Sequence, residues 1–314
     1  MSKLLKGTIK VGFGAALMYG VNRCINYYAT VKEILKSRNK AYYTWKFGDI
    51  YYSKLGEGKP VLLIHHLDPS CSGYEWHVLK RDLAKDHTVY TVDLPGYGRS
   101  FKEKMIYTNF IFVSAMNDFV RDVIGEKTDV ITSGDASSIA IMACHSKPEL
   151  YGKVVAIRPE SFNHMIQYPT EESKKKYQLF TIPILGTFIY NMTCTHRTIT
   201  KAFTSEYFNK CSVIQHKWID AFHEAAHTGG FNARFTMASR TCGYMNMNAV
   251  PALKAMEQAL FVICGECSDD QEKTLVDYAH FKPDMKGGVI ADTKAMPHME
   301  SPKATAAMIR EFIG

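Results

Sequence analysis

Asp93-Leu94-Pro95-Gly96-Tyr97-Gly98-Arg99-Ser100 closes an apolar run, Thr88 to Leu94, that reads as a strand. Strands of similar character lie on both sides of it. Upstream, Pro60 to His65 is an apolar burst running into a polar loop, the pattern of a parallel strand buried on both faces. Before it, Tyr42 to Lys46 and Ile50 to Lys54 read as two short strands around Gly48-Asp49, and Tyr74 to Lys85 reads as a helix. Downstream come a helix over Thr108 to Ile124, a strand over Thr128 to Thr132, a tight turn, a helix over Ala136 to Ser146 and a strand over Lys153 to Ile157.

The alternation then stops. Residues 160 to 245 hold helical segments rich in Phe, Tyr, Met and His, with no buried strand. It resumes with a strand over Ala259 to Cys264, a helix over Asp270 to His280, a strand over Gly288 to Ala291 and a helix over Pro302 to Phe312. This pattern predicts an α/β fold: a mostly parallel central sheet, helices on both faces and an inserted helical cap. The expected division is an apolar and basic N-terminal segment at 1–30, a core at 40–159 and 246–314, and a cap at 160–245. Ligands on such sheets bind beyond the carboxyl ends of the strands, under the cap.

Four local patterns follow one another in order: Leu62-Leu63-Ile64-His65-His66-Leu67; the Asp93–Ser100 stretch; Gly134-Asp135-Ala136-Ser137-Ser138; and Pro297-His298-Met299-Glu300-Ser301-Pro302. Together they resemble the capped α/β-hydrolase superfamily, over residues 40 to 314. That resemblance implies a nucleophile on a sharp strand-to-helix turn in G-x-S-x-G. It also implies a histidine base, an acid that orients it, and two backbone N–H groups for the oxyanion.

Checked against this expectation, the chemical positions are empty. Aligned on Gly134, the nucleophile position is Ala136. The spacing to Pro297, Glu300 and Pro302 places the family's histidine at Ala295, and the acid position falls at Ser268. The oxyanion donors would be the backbone N–H groups of Leu67 and Ser137, but His66 stands where the family has glycine. Single losses of this kind cost about 10⁴–10⁶-fold in kcat in a well-studied protease. The expectation is therefore a catalytically inactive pseudoenzyme that keeps a pocket for a small apolar molecule or a partner. The alternative is an active hydrolase of a small apolar ester-like substrate through the surrogates Ser137, Asp269 and His298. A carboxylate nucleophile at Asp135 is a third route, still without a histidine at 295.

The bulk numbers limit the other classes. The chain has 314 residues, 46% hydrophobic and 22% charged, with a formal net charge of +7. Its longest basic run, Lys174-Lys175-Lys176, follows Glu171 and Glu172 and reads as a solvated helix face, so no nucleic-acid partner is expected. Eight scattered cysteines suggest reduced thiols rather than a disulfide framework. Cys264-Gly265-Glu266-Cys267 lacks a second ligand pair for zinc. His223-Glu224-Ala225-Ala226-His227 matches H-E-x-x-H, without a third ligand. No metal or cofactor is expected.

At the N-terminus, Lys3, Lys6 and Lys10 precede an apolar stretch from Val11 to Val21, with Arg23 beyond it. Three readings remain open: a short anchor, an interfacial helix, or a cleaved signal peptide. The corresponding location is cytoplasmic, or membrane-associated through residues 1–30.

Overall fold

A computed structural model describes the backbone at 3–36 and 41–314, and side chains from residue 12 onward within those stretches. Eight strands form one sheet: β1 Ala41–Trp45, β2 Gly48–Leu55, β3 Lys59–Ile64, β4 His87–Val92, β5 Thr128–Ser133, β6 Tyr151–Ile157, β7 Leu260–Gly265 and β8 Lys286–Ile290. Their spatial order is β1-β2-β4-β3-β5-β6-β7-β8. β1 pairs antiparallel with β2, and β2 with β4. All other neighbours are parallel. The mostly parallel sheet expected from the sequence is present.

The helices are α1 Lys3–Thr30, α2 Leu79–Leu83, α3 Asn109–Phe119, α4 Ala136–Ser146, α5 Phe162–Met165, α6 Glu171–Thr181, α7 Leu185–Thr193, α8 His196–Ala202, α9 His216–His227, α10 Ala233–Thr241, α11 Val250–Ala255, α12 Gln271–Phe281, α13 Pro297–Glu300 and α14 Pro302–Ile313. The period-2 alternation of β3 shows why the sheet is covered twice. Leu62 and Ile64 enter one core with Phe112, Met116 and Ile139 of α3 and α4. Val61 and Leu63 enter the other with Leu79 and Leu83 of α2 and Ile309 and Phe312 of α14. Successive strand side chains point to opposite faces, so a strand with helices on both sides must be apolar throughout.

Two expected helices differ in detail. Tyr74 to Lys85 is a short 3₁₀ turn, Gly73–Trp76, followed by α2. Thr108 to Ile124 is α3 followed by one wider turn, Val120–Ile124, that ends at Gly125 with φ +76°.

α5 to α10 lie between β6 and β7 and hold their own apolar clusters, including Phe203, Phe208, Trp218 and Phe222. The Asp93–Ser100 stretch proves to be scaffold. Arg99 Nε donates to Asp93 Oδ2 at 2.7 Å and Arg99 Nη2 to Oδ1 at 2.9 Å. Gly73 N–H also donates to Asp93 Oδ1, at 2.7 Å. Asp93 thus ties the loop after β4 to the loop after β3.

Candidate functional site

The sharp strand-to-helix turn falls at Gly134. β5 ends at Ser133, Gly134 has φ +59°, and Asp135 already has α-helical angles ahead of α4. A residue at this apex projects over the strand ends, where the fold presents its nucleophile. Ala136 instead lies fully buried in the core beside Ile139 and Ala140. The alignment that made Ala136 the nucleophile position is therefore corrected by two residues. That alignment took Gly134 for the first glycine of the pattern. The chain uses its freedom at positive φ for the apex itself. The apex still carries no nucleophilic atom.

The space a side chain at 134 would need is occupied. A Cβ placed on Gly134 would lie 2.1 Å from His66 Nδ1. His66 Nδ1 in turn lies 2.7 Å from Asp135 Oδ1, close enough for an ion pair though poorly aligned for a hydrogen bond. The same Asp135 oxygen accepts the Leu67 N–H at 2.8 Å, and Oδ2 accepts Arg240 Nε at 3.1 Å. Burial opposes ionisation of Asp135, but His66, Arg240 and the Leu67 amide outweigh it and hold the carboxyl well below its usual range. Burial likewise opposes protonation of His66, and the Asp135 charge reverses that and raises it.

The two donors expected from the sequence are engaged, and with the apex at Gly134 the second donor position moves from Ser137 to the Asp135 N–H. Leu67 N–H serves Asp135, and Ser137 N–H bonds to Gly134 O at 3.2 Å. Asp135 as a nucleophile fares no better, because its carboxylate accepts two hydrogen bonds and lies against the His66 ring.

The surrogate set does not assemble. Ser137 is buried, and its Oγ shares a hydrogen bond with Thr132 Oγ1 at 2.9 Å. Ser138 Oγ donates to Asp135 O at 2.9 Å. His298 is fully buried against the Trp76 ring, with Nε2 2.9 Å from Glu75 Oε1. Asp269 is exposed on the loop after β7. Ser137, Asp269 and His298 therefore have separate environments. Glu75 is the hub on this side. Its Oε2 accepts the His66 N–H at 3.0 Å. Burial works against its charge, yet the hydrogen bonds from His298 and Ser133 keep it below the usual carboxylate range.

Ala295, Ser268 and Asp269 do converge on Gly134. All four line one cavity of about 500 Å³ at the carboxyl ends of the strands. Ser205, Glu206, Tyr207 and Arg240 contribute from the inserted block. The lining is charged, with the acids Asp68, Asp135, Glu160, Glu206, Asp269 and Asp270 and the bases Arg158, Arg240 and Lys294 beside His66. The apolar side chains of the inserted block pack on one another and on Cys71, Met296 and Met299 of the core. Arg158 has φ +43° and lies 3.8 Å from Asp270. Its Nε and Ser268 Oγ are buried without a hydrogen-bond partner among the described residues.

The remaining motifs are structural. Glu224 Oε2 accepts the Ile34 N–H at 2.7 Å and Oε1 the Leu35 N–H at 3.0 Å, so it caps a backbone turn rather than facing a metal. His227 Nδ1 lies 2.8 Å from His223 O. Cys264 is buried in β7. Among the described residues, no group of three or more His, Cys, Asp or Glu side chains could hold a metal ion.

Sequence reading noticed His66 as a missing glycine but missed its partners. Asp135 sits one residue past the apex, and Arg240 comes from a helix about a hundred residues later in the chain.

Comparison with known proteins agrees with the topology. A family model described as alpha/beta hydrolase fold matches residues 59–129. The chain has the α/β-hydrolase fold. No curated protein matches it. Among solved structures, this chain is similar to a serine hydrolase involved in carbazole degradation, at TM-score 0.71 and 15% identity over 88% of this chain and 98% of that one. It is also similar to a thermophilic esterase from Thermogutta terrifontis solved with malate bound, at 0.69 and 15% over 88% and 98%. A third is the naproxen esterase of Bacillus subtilis, at 0.67 and 19% over 92% and 98%. At these identities the likeness establishes the shared fold.

Proposed function

We propose that this chain is a non-hydrolytic α/β-hydrolase-fold protein that uses the emptied site as a binding pocket for a small polar ligand, roofed by the inserted helices acting as a cap. One observation carries the reading: the His66 ring occupies the side-chain space of the apex, where glycine stands in place of a nucleophile. Asp135 fixes that ring and also takes the Leu67 amide. A serine route needs a nucleophile, a base and free oxyanion donors together, and Ala295 adds the missing base.

The cavity supports the binding half. Buried polar groups are normally hydrogen-bonded, so Arg158 Nε and Ser268 Oγ without partners mark places where a ligand or water completes the network. Arg158 and Lys294 suit a ligand carboxylate, and one structural relative was solved with malate bound. Malate is therefore the probe for thermal-shift titration. It raises the melting temperature of the wild-type chain and has a weaker effect on Arg158→Ala. A wild-type chain indifferent to malate and to the other small dicarboxylates and amino acids refutes the binding half.

A further inference from the structure

Helix α1 is built inside out for a surface helix. Such helices normally bury an apolar stripe and show a polar face to water. Here Asn22 and Asn26 point inward, while Arg23 is exposed. Asn22 is buried, donates to Ile184 O at 3.0 Å and accepts from Asn191 Nδ2 at 2.9 Å. One turn later Asn26 donates to His227 O at 3.2 Å. These bonds fix the rotation of α1 on α7 and α9.

The outward face is apolar. Phe13, Leu17, Val21 and Tyr28 follow helical spacing, and Phe13 is 73% exposed, Leu17 62% and Tyr28 73%. Gly20 and Cys24 lie between them along the same stripe, forming with Ala16 and Ile25 a shallow apolar groove. A side chain at Gly12, Gly14 or Gly20 would touch nothing, so no other part of the described chain covers this face. The sequence before Glu33 has no acidic residue, while Lys3, Lys6, Lys10, Arg23 and Lys32 are basic. Lys32 is paired with Asp220. No helix among the described residues is long and apolar enough to cross a membrane.

We infer that α1 is a membrane-surface docking element: it lies in the plane of an anionic bilayer, with Phe13, Leu17, Val21 and Tyr28 inserted at the headgroup boundary. The charge argues for this occupant over a second copy of the chain, since two copies would bring the same basic segments together. Apolar insertion plus attraction of basic residues to anionic lipid is the general physics of interfacial helices. Tyr27 and Tyr28 are the residue type favoured at that depth. The inference is independent of what the cavity binds.

The test is co-sedimentation of the full chain with vesicles of phosphatidylcholine alone and of phosphatidylcholine mixed with phosphatidylglycerol. The chain pellets with the mixed vesicles and far less with the neutral ones, and added salt weakens the binding. Phe13→Ser/Leu17→Ser, which alters only exposed positions, lowers the apparent affinity by roughly tenfold or more with an unchanged melting temperature. Equal recovery in the supernatant with both vesicle types overturns the inference. So does a dimer in lipid-free solution that the double variant dissociates, which would assign the face to a second copy.

Discussion

Gly134→Ser would restore a serine at the apex of the turn, and the structure predicts that it destabilises the protein without restoring the enzyme. The new Cβ would lie 2.1 Å from His66 Nδ1. Asp135 holds that ring, and the Glu75 bond to the His66 amide fixes the backbone that carries it. Overpacking of this kind costs roughly 1–3 kcal/mol. The positive φ adds about 1–2 kcal/mol for any residue other than glycine. The single variant should lose about 2–5 kcal/mol in total. In a His66→Gly background the clash disappears and only the conformational cost remains, about 1–2 kcal/mol. The two changes should thus be coupled by about 1–3 kcal/mol. Urea unfolding of wild type, both single variants and the double variant measures that coupling. Additivity within about 0.5 kcal/mol refutes the placement of His66 in the apex space. Ala136→Ser provides the control: it buries a hydroxyl in the core, and its cost does not depend on His66.

The other predictions concern the polar framework. Glu75→Ala strands the buried His298 ring and the His66 amide and should cost about 3–5 kcal/mol, read as a melting temperature lower by roughly 5–10 °C. A loss no larger than that of an average surface substitution contradicts the hub role. Stability from protonated His66, which Asp135 favours, is fully present below about pH 6.5 and fades as pH rises through its raised folded value. Stability from Asp135 is present above about pH 4 and is lost as pH falls through its depressed folded value. The pair therefore contributes most between roughly pH 4 and 6.5, and Asp135→Asn should flatten a scan of melting temperature against pH in that window. Glu224→Ala removes the acceptor for the Ile34 and Leu35 amides. It should speed tryptic cleavage at Lys36, with zinc content unchanged from wild type.

Much of the architecture was legible because it is written locally. The apolar runs at Pro60–His65 and Thr128–Thr132 can be satisfied only by strands covered on both faces. Ala295, placed from the spacing to Pro297, Glu300 and Pro302, lines the cavity with Ser268. The apex was not legible. Gly-x-Ala-x-Ser reads as a degraded form of the expected pattern, while only the backbone angle at Gly134 reveals which residue turns the corner. The charged plug was hidden for another reason. Its members His66, Asp135 and Arg240 meet only through tertiary packing, across 105 residues between the last two. His298 looked available for chemistry, and only the fold shows it committed to Glu75 and packed against Trp76.

The central claim is that no serine in this chain is an activated nucleophile. Incubation of the intact protein with a fluorophosphonate probe, followed by peptide mapping by mass spectrometry, tests it directly. The geometry predicts no labelled serine, with Ser133, Ser137 and Ser138 all unmodified under conditions that saturate an active serine esterase. Stoichiometric labelling at any serine, abolished by prior denaturation, would contradict it.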